Sequence, residues 1–361
     1  MSFAKKTWQD DVTLITGGAG FIGSNFVYSW RQSAGKIIVL DRLTYAGNRS
    51  TLEGLCSQEH FSFIEGDICD AALVARILLE NKVKTVVHFA AESHVDRSIL
   101  EPAAFIQTNV VGTFTLLEEF RRYWEAQERP NDLRFLHVST DEVFGSLSMD
   151  DPPFSETMPY APNNPYSASK AGSDHLVRAY FHSYGLPTLI THCSNNYGPY
   201  QFPEKLIPLM CLNILLGKSL PIYGDGQNIR DWLHVEDHCD AIATVLKKAQ
   251  PGSTYNIGGN NQVKNIDIVE QLCDLMDELV TDLPVSPARQ LITFVKDRPG
   301  HDRRYAMNIG KIQQDLGWQP KYDFAMGLKQ TVQWYLNHFD WWQPLLSDDY
   351  QQYYVELYGG R

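Results

Sequence analysis

Two groups of residues in this chain have the types and the spacing to do chemistry together: Thr140-Asp141-Glu142, and the pair formed by Tyr166 and Lys170. Tyr166 and Lys170 are separated by one helical turn, so on a helix they share a face. A free tyrosine has a pKa of about 10, and a nearby ammonium favours its phenolate form. We predict that Tyr166 takes a proton from an alcohol while hydride leaves the adjacent carbon, with Thr140 hydrogen-bonded to the same oxygen.

The adjacent acids Asp141 and Glu142 add a second kind of chemistry. Neighbouring carboxyl groups titrate as a coupled pair, so one can stay protonated while the other is charged. Such a pair can remove a proton from carbon and protonate a leaving hydroxyl group. Helix capping or a solvated loop is the ordinary alternative for two adjacent acids. Their position directly after a predicted strand favours an oxidoreductase whose net reaction is loss of water.

Short apolar segments alternate with helical patterns through the first half of the chain. Strands are predicted over residues 12–16, 36–41, 61–65, 84–89, 133–139 and 188–193. Helices are predicted from residue 21 to about 33, after Pro102, and over about 164–184. Strands that are apolar along their whole length indicate a parallel sheet covered on both faces. Ligands of such sheets lie beyond the carboxyl ends of the strands, where both reactive groups are predicted to be.

A glycine turn follows the first predicted strand. Gly17, Gly20 and Gly23 form G-x-x-G-x-x-G between that strand and the first helix. Glycines there let the turn close and let a pyrophosphate approach the backbone at the amino end of the helix. Asp41 ends the second strand, where a carboxylate binds the adenosine ribose and repels a 2'-phosphate. The pattern predicts NAD rather than NADP, although the positive charge of Arg42 argues the other way.

Composition excludes several classes of function. The 361 residues carry a net charge of -12, which disfavours nucleic-acid binding, and no apolar segment has the length of a membrane span. The six cysteines include no C-x-x-C pair, which is typical of reduced thiols in the cytoplasm. His234, Asp237 and His238 are better explained by the start of a helix than by a metal site, so no metal is predicted.

Motifs along nearly the whole chain carry a family resemblance. They are TGGAGFIG (16–23), DRLTYAGN (41–48), GDICD (66–70), AAESHVDRS (90–98), STDEVFG (139–145), YSASK (166–170), CSNNYGPYQFPEKLIP (193–208), IRDWLHVEDH (229–238), YNIGG (255–259) and DRPGHDRRYA (297–306). The chain resembles the extended short-chain dehydrogenase/reductase superfamily and, within it, the dTDP-glucose 4,6-dehydratase family. The TDE triplet and DRPGHDRRYA discriminate most strongly.

The resemblance implies roles for individual residues. The matches to catalytic residues are Thr140, Asp141, Glu142, Tyr166 and Lys170. The matches to NAD contacts are Gly17, Gly20, Phe21, Ile22, Gly23, Asp41, Thr44, Asp67, Ile68, Ala90, Ala91, Ser93, Thr108, Tyr166, Lys170 and Asn196. The matches to nucleotide-sugar contacts are Ser93, Thr140, Asn195, Lys205, Leu206, Pro221, Tyr223, Arg230, Asn265, Arg298 and His301.

The predicted fold is α/β: a Rossmann-type doubly wound parallel sheet with a smaller α-rich substrate-binding lobe. Further helical patterns lie over 234–249, 265–279 and 323–338. We expect residues 1–196 and 224–262 to form the NAD-binding domain, and residues 197–223 and 263–361 to form the nucleotide-sugar-binding domain. The resemblance also implies a homodimer joined through the helices that begin near Pro102 and Asn164.

The implied reaction is NAD-dependent dehydration of dTDP-glucose to dTDP-4-keto-6-deoxyglucose. It proceeds by oxidation at C4, elimination of water across C5 and C6, and return of hydride to C6. Another nucleotide-sugar 4,6-dehydratase, or a 4-epimerase or decarboxylase of the same superfamily, stays open. A silent NAD-binding regulatory protein is the alternative from a different class. The acid pair argues against the epimerase, and intact Tyr166, Lys170 and Thr140 argue against silence.

Overall fold

The structure is a computed structural model that describes residue 8, residues 11–297 and residues 300–358. Its strands are β1 (Val12–Thr16), β2 (Lys36–Asp41), β3 (Phe61–Glu65), β4 (Thr85–His88), β5 (Arg134–Thr140), β6 (Thr188–Cys193), β7 (Asn195–Tyr197), β8 (Leu220–Tyr223), β9 (Ile229–His234), β10 (Thr254–Ile257), β11 (Gln262–Lys264) and β12 (Ile292–Val295).

The helices alternate with these strands through the first half and dominate the second. They are α1 (Phe21–Trp30), α2 (Ala71–Asn81), α3 (Val95–Leu100), α4 (Pro102–Phe105), α5 (Thr113–Ala126), α6 (Pro165–Tyr184), α7 (Leu206–Leu215), α8 (Val235–Lys248), α9 (Asn265–Leu279), α10 (Gly310–Leu316), α11 (Phe324–Asn337), α12 (Phe339–Trp342) and α13 (Asp348–Tyr358). A π-helical segment, Ile106–Gly112, joins α4 to α5. Short 3-10 turns lie at Arg49–Leu55, Asp141–Phe144, Ala288–Leu291 and Gln343–Leu345.

Seven strands form one sheet in the order β3-β2-β1-β4-β5-β6-β10. Every pairing in it is parallel, and β1, β2, β5 and β6 are buried along almost their whole length. Helices cover both faces of the sheet, because strands that are apolar on both sides must be buried from water on both sides. The strand order reverses between β1 and β4, the position where sheets of this type bind ligands. The predicted Rossmann-type sheet is confirmed.

Helix α6 carries Tyr166 and Lys170 and has a strong signal at each end. Asn164 caps its start by accepting a hydrogen bond from the Ser167 amide at 2.9 Å, and the Ser167 hydroxyl lies 3.3 Å from the Asn164 amide. Gly185 ends it in the left-handed region at φ 75°, which a glycine adopts without strain. Both caps are local, so the sequence alone fixes where this helix lies.

A smaller, mostly helical lobe is built from the second half of the chain, as predicted, but it also includes β9, which the predicted division placed in the NAD-binding domain. Two short sheets, β11-β9-β7 and β12-β8, pack with helices α7, α9 and α11. Its core includes Tyr197, Ile207, Met210, Ile222, Trp232, Ile268, Leu272, Met276, Leu328 and Val332. This core is separate from those of the sheet domain, so the lobe is stabilised by its own apolar burial.

One segment of the second half packs against the sheet domain instead. Tyr305, Met307, Ile312 and Trp318 belong to the core that lies on one face of the large sheet. The Phe154 amide donates to the Ala306 carbonyl at 2.8 Å, which ties this segment to the loop that precedes α6. The predicted division assigned all of 263–361 to the second lobe, and this part departs from it. The sequence did not predict this contact, because it joins the segment around Ala306 to residues far away in the chain, such as Phe154.

The aromatic tail packs against the rest of the chain, as its composition predicts. The Trp341 indole donates to Thr51 Oγ1 at 3.0 Å, and the Tyr350 hydroxyl donates to the Pro203 carbonyl at 3.2 Å. Trp342 is buried. Across the described residues, no helix is both long enough and apolar enough to cross a bilayer.

Candidate active site

A cavity of about 310 Å³ opens at the carboxyl ends of the central strands. The residues that follow β1, β2, β4, β5 and β6 form its wall, together with the start of α1 and one face of α6. Every residue predicted to contact the cofactor and all five predicted catalytic residues lie on this wall. Residues from eight separate segments, which include the turn after β3 and Thr108 of the π-helical segment, therefore meet at the point where the strand order reverses.

The glycine turn is built so tightly that side chains do not fit. Gly17 has φ +71°, and a Cβ there would lie 2.5 Å from the Ala90 amide nitrogen. A Cβ on Gly23 would collide with the carbonyl of Gly17. Gly20 caps α1 without a side-chain hydrogen bond, so the first amides of the helix face the cavity. This arrangement fits the pyrophosphate of a dinucleotide.

Asp41 ties the end of β2 to this turn. Its two oxygens accept hydrogen bonds from the amides of Ala19 and Leu43, each at 2.9 Å. Burial raises the pKa of Asp41, and these two bonds oppose that rise. Arg42, whose charge argued for NADP, has its guanidinium 3.0 Å from the Asp67 carboxylate. That ion pair removes the main objection to NAD.

Tyr166 and Lys170 lie one turn apart on α6, and both are buried. Burial raises the pKa of Tyr166 well above its usual value, the charge of Glu142 raises it further, and a hydrogen bond with Thr140 lowers it. Burial also lowers the pKa of Lys170 to about 8. The sequence predicted a ready phenolate, whereas the pocket itself disfavours one. The charges of Lys170 and of a bound cofactor must therefore compensate for burial.

Asp141 and Glu142 are held differently although they are adjacent. The Thr140 hydroxyl donates to Asp141 Oδ1 at 3.2 Å and accepts from the Glu142 amide at 3.2 Å. Asp141 is 2% exposed, and within the described part of the chain its Oδ2 has no hydrogen-bond partner. Burial, and then the charges of Glu142 and Asp231, raise the pKa of Asp141 well above its usual value. Burial thus favours the protonated form of Asp141, which neither caps a helix nor lies in a solvated loop.

The residues predicted to bind a nucleotide sugar fall into two groups. Ser93, Thr140, Asn195 and Lys205 lie on the cavity wall, and Leu206 begins α7 beside Lys205. The others lie beyond that wall in the second lobe. They are Pro221 and Tyr223 on β8, Arg230 on β9, Asn265 at the start of α9, and His301. Arg298 lies outside the described residues.

The second group is joined to the acid pair through Arg230. The Arg230 guanidinium donates to the Asp302 carbonyl at 2.8 Å and lies 4.2 Å from the centre of the Tyr305 ring. Its charge lowers the pKa of Asp141, so it is near the same site. The rings of Tyr223 and His301 lie 6.0 Å apart. These residues extend the site from the sheet domain towards the smaller lobe.

Several cavity residues were not predicted. They include Glu92, Ser139, Cys193, Ser194, Gln201, Phe202 and Glu204. Most of them lie inside the motifs AAESHVDRS and CSNNYGPYQFPEKLIP, so the signal was present in the sequence. Asp231, which raises the pKa of Asp141, lies inside IRDWLHVEDH. Their positions required the fold, because nothing local distinguishes a wall residue from its neighbours.

The histidines at the start of α8 have structural contacts. His234 caps the helix by accepting from the Glu236 amide at 3.4 Å. His238 Nδ1 lies 2.9 Å from Asn196 Oδ1 and so orients a predicted cofactor residue. In the ranges that the structure describes, no three His, Cys, Asp or Glu side chains are grouped as a metal site requires.

Comparison with known proteins gives a consistent result. Residues 14–331 match the family model described as GDP-mannose 4,6 dehydratase. A dTDP-glucose 4,6-dehydratase of Xanthomonas campestris pv. campestris strain B100 is 55% identical over 340 residues, which is 94% of this chain and 97% of that protein. The dTDP-glucose 4,6-dehydratase 1 of Escherichia coli K12 is 53% identical over 359 residues, covering 96% and 99%.

Solved structures agree with these relatives. The dTDP-glucose 4,6-dehydratase of Streptomyces venezuelae, solved with NAD and TYD bound, is 47% identical with a TM-score of 0.84, covering 92% of this chain and 99% of that chain. The chain therefore belongs to the dTDP-glucose 4,6-dehydratase family, within the extended short-chain dehydrogenase/reductase superfamily.

Proposed function

We propose that this protein is an NAD-dependent hydro-lyase that converts dTDP-glucose to dTDP-4-keto-6-deoxyglucose. One observation carries the proposal: a buried Asp141, one of whose oxygens has no hydrogen-bond partner among the described residues, lies directly beside Glu142 on the cavity wall that also carries Tyr166. A simple dehydrogenase has no use for a neutral carboxylic acid in this position. An elimination needs both an acid and a base.

The residues divide the reaction between them. The glycine turn and Asp41 would hold NAD, which would supply the hydride acceptor for C4 and the hydride donor for C6. Tyr166 takes the proton of the C4 hydroxyl, with Thr140 hydrogen-bonded to the same oxygen and Lys170 stabilising the phenolate. The resulting ketone acidifies the C5 proton, which Glu142 removes, and Asp141 protonates the departing C6 hydroxyl as water. A proton then returns to C5, so the cofactor ends each turnover as it began.

The other candidates fit these residues less well. A 4-epimerase requires Tyr166 and Lys170 but gives no role to a buried carboxylic acid at position 141. A silent NAD-binding regulator gives no reason for Tyr166, Lys170 and Thr140 to share one wall with the glycine turn. The diphosphate of the substrate is bound by positive charge, for which we propose Lys205 and Arg230 in this acidic chain.

A panel of nucleotide sugars tests both the reaction and the preference for the thymine nucleobase. The purified protein, with no cofactor added, is incubated separately with dTDP-, UDP- and GDP-glucose, and 4-keto sugar is measured by the absorbance that it develops in alkali. We expect product from dTDP-glucose first, and NAD among the nucleotides released on denaturation. If only UDP-glucose or GDP-glucose gives product, the proposed preference for the thymine nucleobase is wrong. A folded protein that retains NAD and forms no product contradicts the reaction.

We also propose that the protein is a homodimer. Large apolar side chains are exposed along α3, the π-helical segment, α5 and α6: Ile99, Leu100, Ile106, Val111, Phe114 and Tyr184. Apolar groups on neighbouring exposed helices are typical of a protein interface. Two antiparallel copies of these helices would bury them against each other.

Light scattering after size exclusion measures the assembly directly. We expect a dimer for the native chain and a monomer for Ile106→Asp combined with Phe114→Asp, because each change places a charge in an apolar contact. Leu79→Asp is the matched control, since Leu79 is also an exposed apolar residue but lies on α2. A native chain with the mass of a monomer contradicts the dimer, as does a double variant that stays dimeric.

The cysteines support a location in a reducing compartment, and we propose the cytoplasm. Cys193, Cys211, Cys239 and Cys273 are buried free thiols, and Cys56 is an exposed one. Cysteines stay free thiols in a reducing compartment, where disulfides do not form. Fractionation of the source cells, with detection of the protein in each fraction, checks this location.

A further inference from the structure

A cluster of polar side chains lies buried beneath the catalytic face of α6. Its centre is Asp174, which is 1% exposed. Asp174 Oδ2 accepts from the Ser139 hydroxyl at 2.8 Å and lies 3.2 Å from His192 Nε2. Its Oδ1 lies 3.2 Å from His137 Nε2. Two strands and one helix thus place hydrogen-bonding groups around one buried carboxylate.

The cluster reaches Lys170 through His137. Lys170 Nζ donates to the Val138 carbonyl at 2.8 Å and lies 3.4 Å from His137 Nε2. That same ring nitrogen lies 3.2 Å from Asp174 Oδ1, so the imidazole lies between the ammonium and the carboxylate. Lys170 and Asp174 are also one helical turn apart, on the same face of α6.

A buried ammonium requires a negative partner to stay charged. Burial lowers the pKa of Lys170 to about 8, and the charge of Asp174 is the largest effect that opposes this fall. Burial also lowers the pKa of His137 to about 4 and that of His88 well below its usual value, so both rings are neutral. The titratable groups around Lys170 are Tyr166 and Asp174 on α6, His88 on β4, His137 on β5, Cys193 on β6, and the acid pair at the cavity wall.

Asp174 is itself kept charged. Burial acts to raise the pKa of its carboxyl, but the close contacts with the His137 and His192 rings outweigh burial and leave the pKa below its usual range. The carboxylate of Asp174 therefore places a negative charge close to Lys170.

We propose that Asp174 is a positioning residue for the reaction: its buried negative charge, one helical turn from Lys170, holds Lys170 in the charged form that Tyr166 requires. The inference rests on the proposed function, and it explains how Lys170 stays an ammonium in a buried pocket. Asp174 is not among the residues that line the cavity, so we expect its effect to reach the reacting groups through Lys170.

Asp174→Asn tests the inference, because asparagine has nearly the same shape and no charge. The measurement is the pH dependence of the first-turnover reduction of bound NAD on adding dTDP-glucose. Loss of the carboxylate removes what stabilises the ammonium, so Lys170 becomes neutral at a lower pH. The alkaline limb of the profile should move down by about 1 to 3 pH units, the range for losing a close opposite charge. Asp174→Glu should restore it towards the native position.

Two further variants keep the test independent of folding defects. Tyr160→Phe removes a hydroxyl that lies 2.8 Å from His192 Nε2 and also interacts with Asp174, but it leaves the Asp174 charge in place. Its alkaline limb should not move. In Lys170→Arg the guanidinium stays charged at all working pH values, so the alkaline limb should disappear although Asp174 is intact.

The possible results separate this inference from the proposed function. Three results would overturn the role of Asp174. They are an alkaline limb of the pH profile that does not move in Asp174→Asn, an equal shift of that limb in Tyr160→Phe, and an alkaline limb that persists in Lys170→Arg. A native enzyme that forms no 4-keto sugar overturns the proposed function, and this inference with it. A native enzyme that forms product while the limb stays unmoved in Asp174→Asn removes this inference alone.

Discussion

Tyr166→Phe should slow oxidation at C4 by about two to four orders of magnitude, the range for losing a general base. The change removes the hydroxyl and keeps the ring, which packs against Phe105 with ring centres 6.3 Å apart. The fold and the cofactor site should therefore survive. Stopped-flow absorbance of reduced nicotinamide, in a single turnover with dTDP-glucose, measures the step directly.

The same helix offers a matched control. The Tyr180 hydroxyl donates to Glu118 at 3.0 Å, away from the cavity wall. Tyr180→Phe should reduce bound NAD at the native rate. If Tyr166→Phe also reduces NAD at nearly the native rate, another group removes the C4 proton and the role of Tyr166 is wrong.

Glu142→Gln should separate oxidation from elimination. Glutamine has nearly the same shape but cannot accept the C5 proton. We expect addition of dTDP-glucose to reduce the bound NAD, after which the enzyme stalls with reduced cofactor. Formation of the 4-keto-6-deoxy product should fall by about two to four orders of magnitude. The comparison of reduced cofactor with alkali-detected product reports both steps in one sample.

Asp141→Asn should also slow the elimination step, because it affects protonation of the leaving hydroxyl group. Asparagine cannot donate as an acid, so loss of the C6 hydroxyl should slow while NAD is still reduced. The native enzyme in heavy water should place deuterium at C5, because the proton held by Glu142 exchanges with solvent. Hydride at C6 should instead come from C4 of the same molecule, which a substrate labelled at C4 with deuterium can show.

Glu119→Gln controls for loss of a buried carboxylate in general. Glu119 is buried on α5, where its carboxylate lies 2.9 Å from the Arg122 guanidinium. Its replacement should change neither the reduction of bound NAD nor the formation of product. A Glu142→Gln enzyme that forms product at the native rate contradicts the role of the acid pair. Transfer of the C4 label to solvent or to a second substrate molecule contradicts the closed hydride cycle.

The sequence by itself determined the elements and the identity of the reactive groups. The apolar segments at 12–16, 36–41 and 61–65 become β1, β2 and β3 with the predicted bounds. The caps Asn164 and Gly185 fix α6, and the four-residue spacing then puts Tyr166 and Lys170 on one face. These features depend on neighbours a few residues apart, so a local pattern is enough to predict them.

Only the tertiary structure decided how each reactive group is charged. The raised pKa of Asp141 depends first on burial and then on the charges of its neighbour Glu142 and of Asp231, a residue far away in the chain. The support for Lys170 depends on the parallel pairing of β5 with β6, which brings His137 and His192 to opposite sides of Asp174. A pKa responds to the solvent and the charges that surround a group in space. No local pattern specifies those surroundings until the strands have paired and α6 has packed over them.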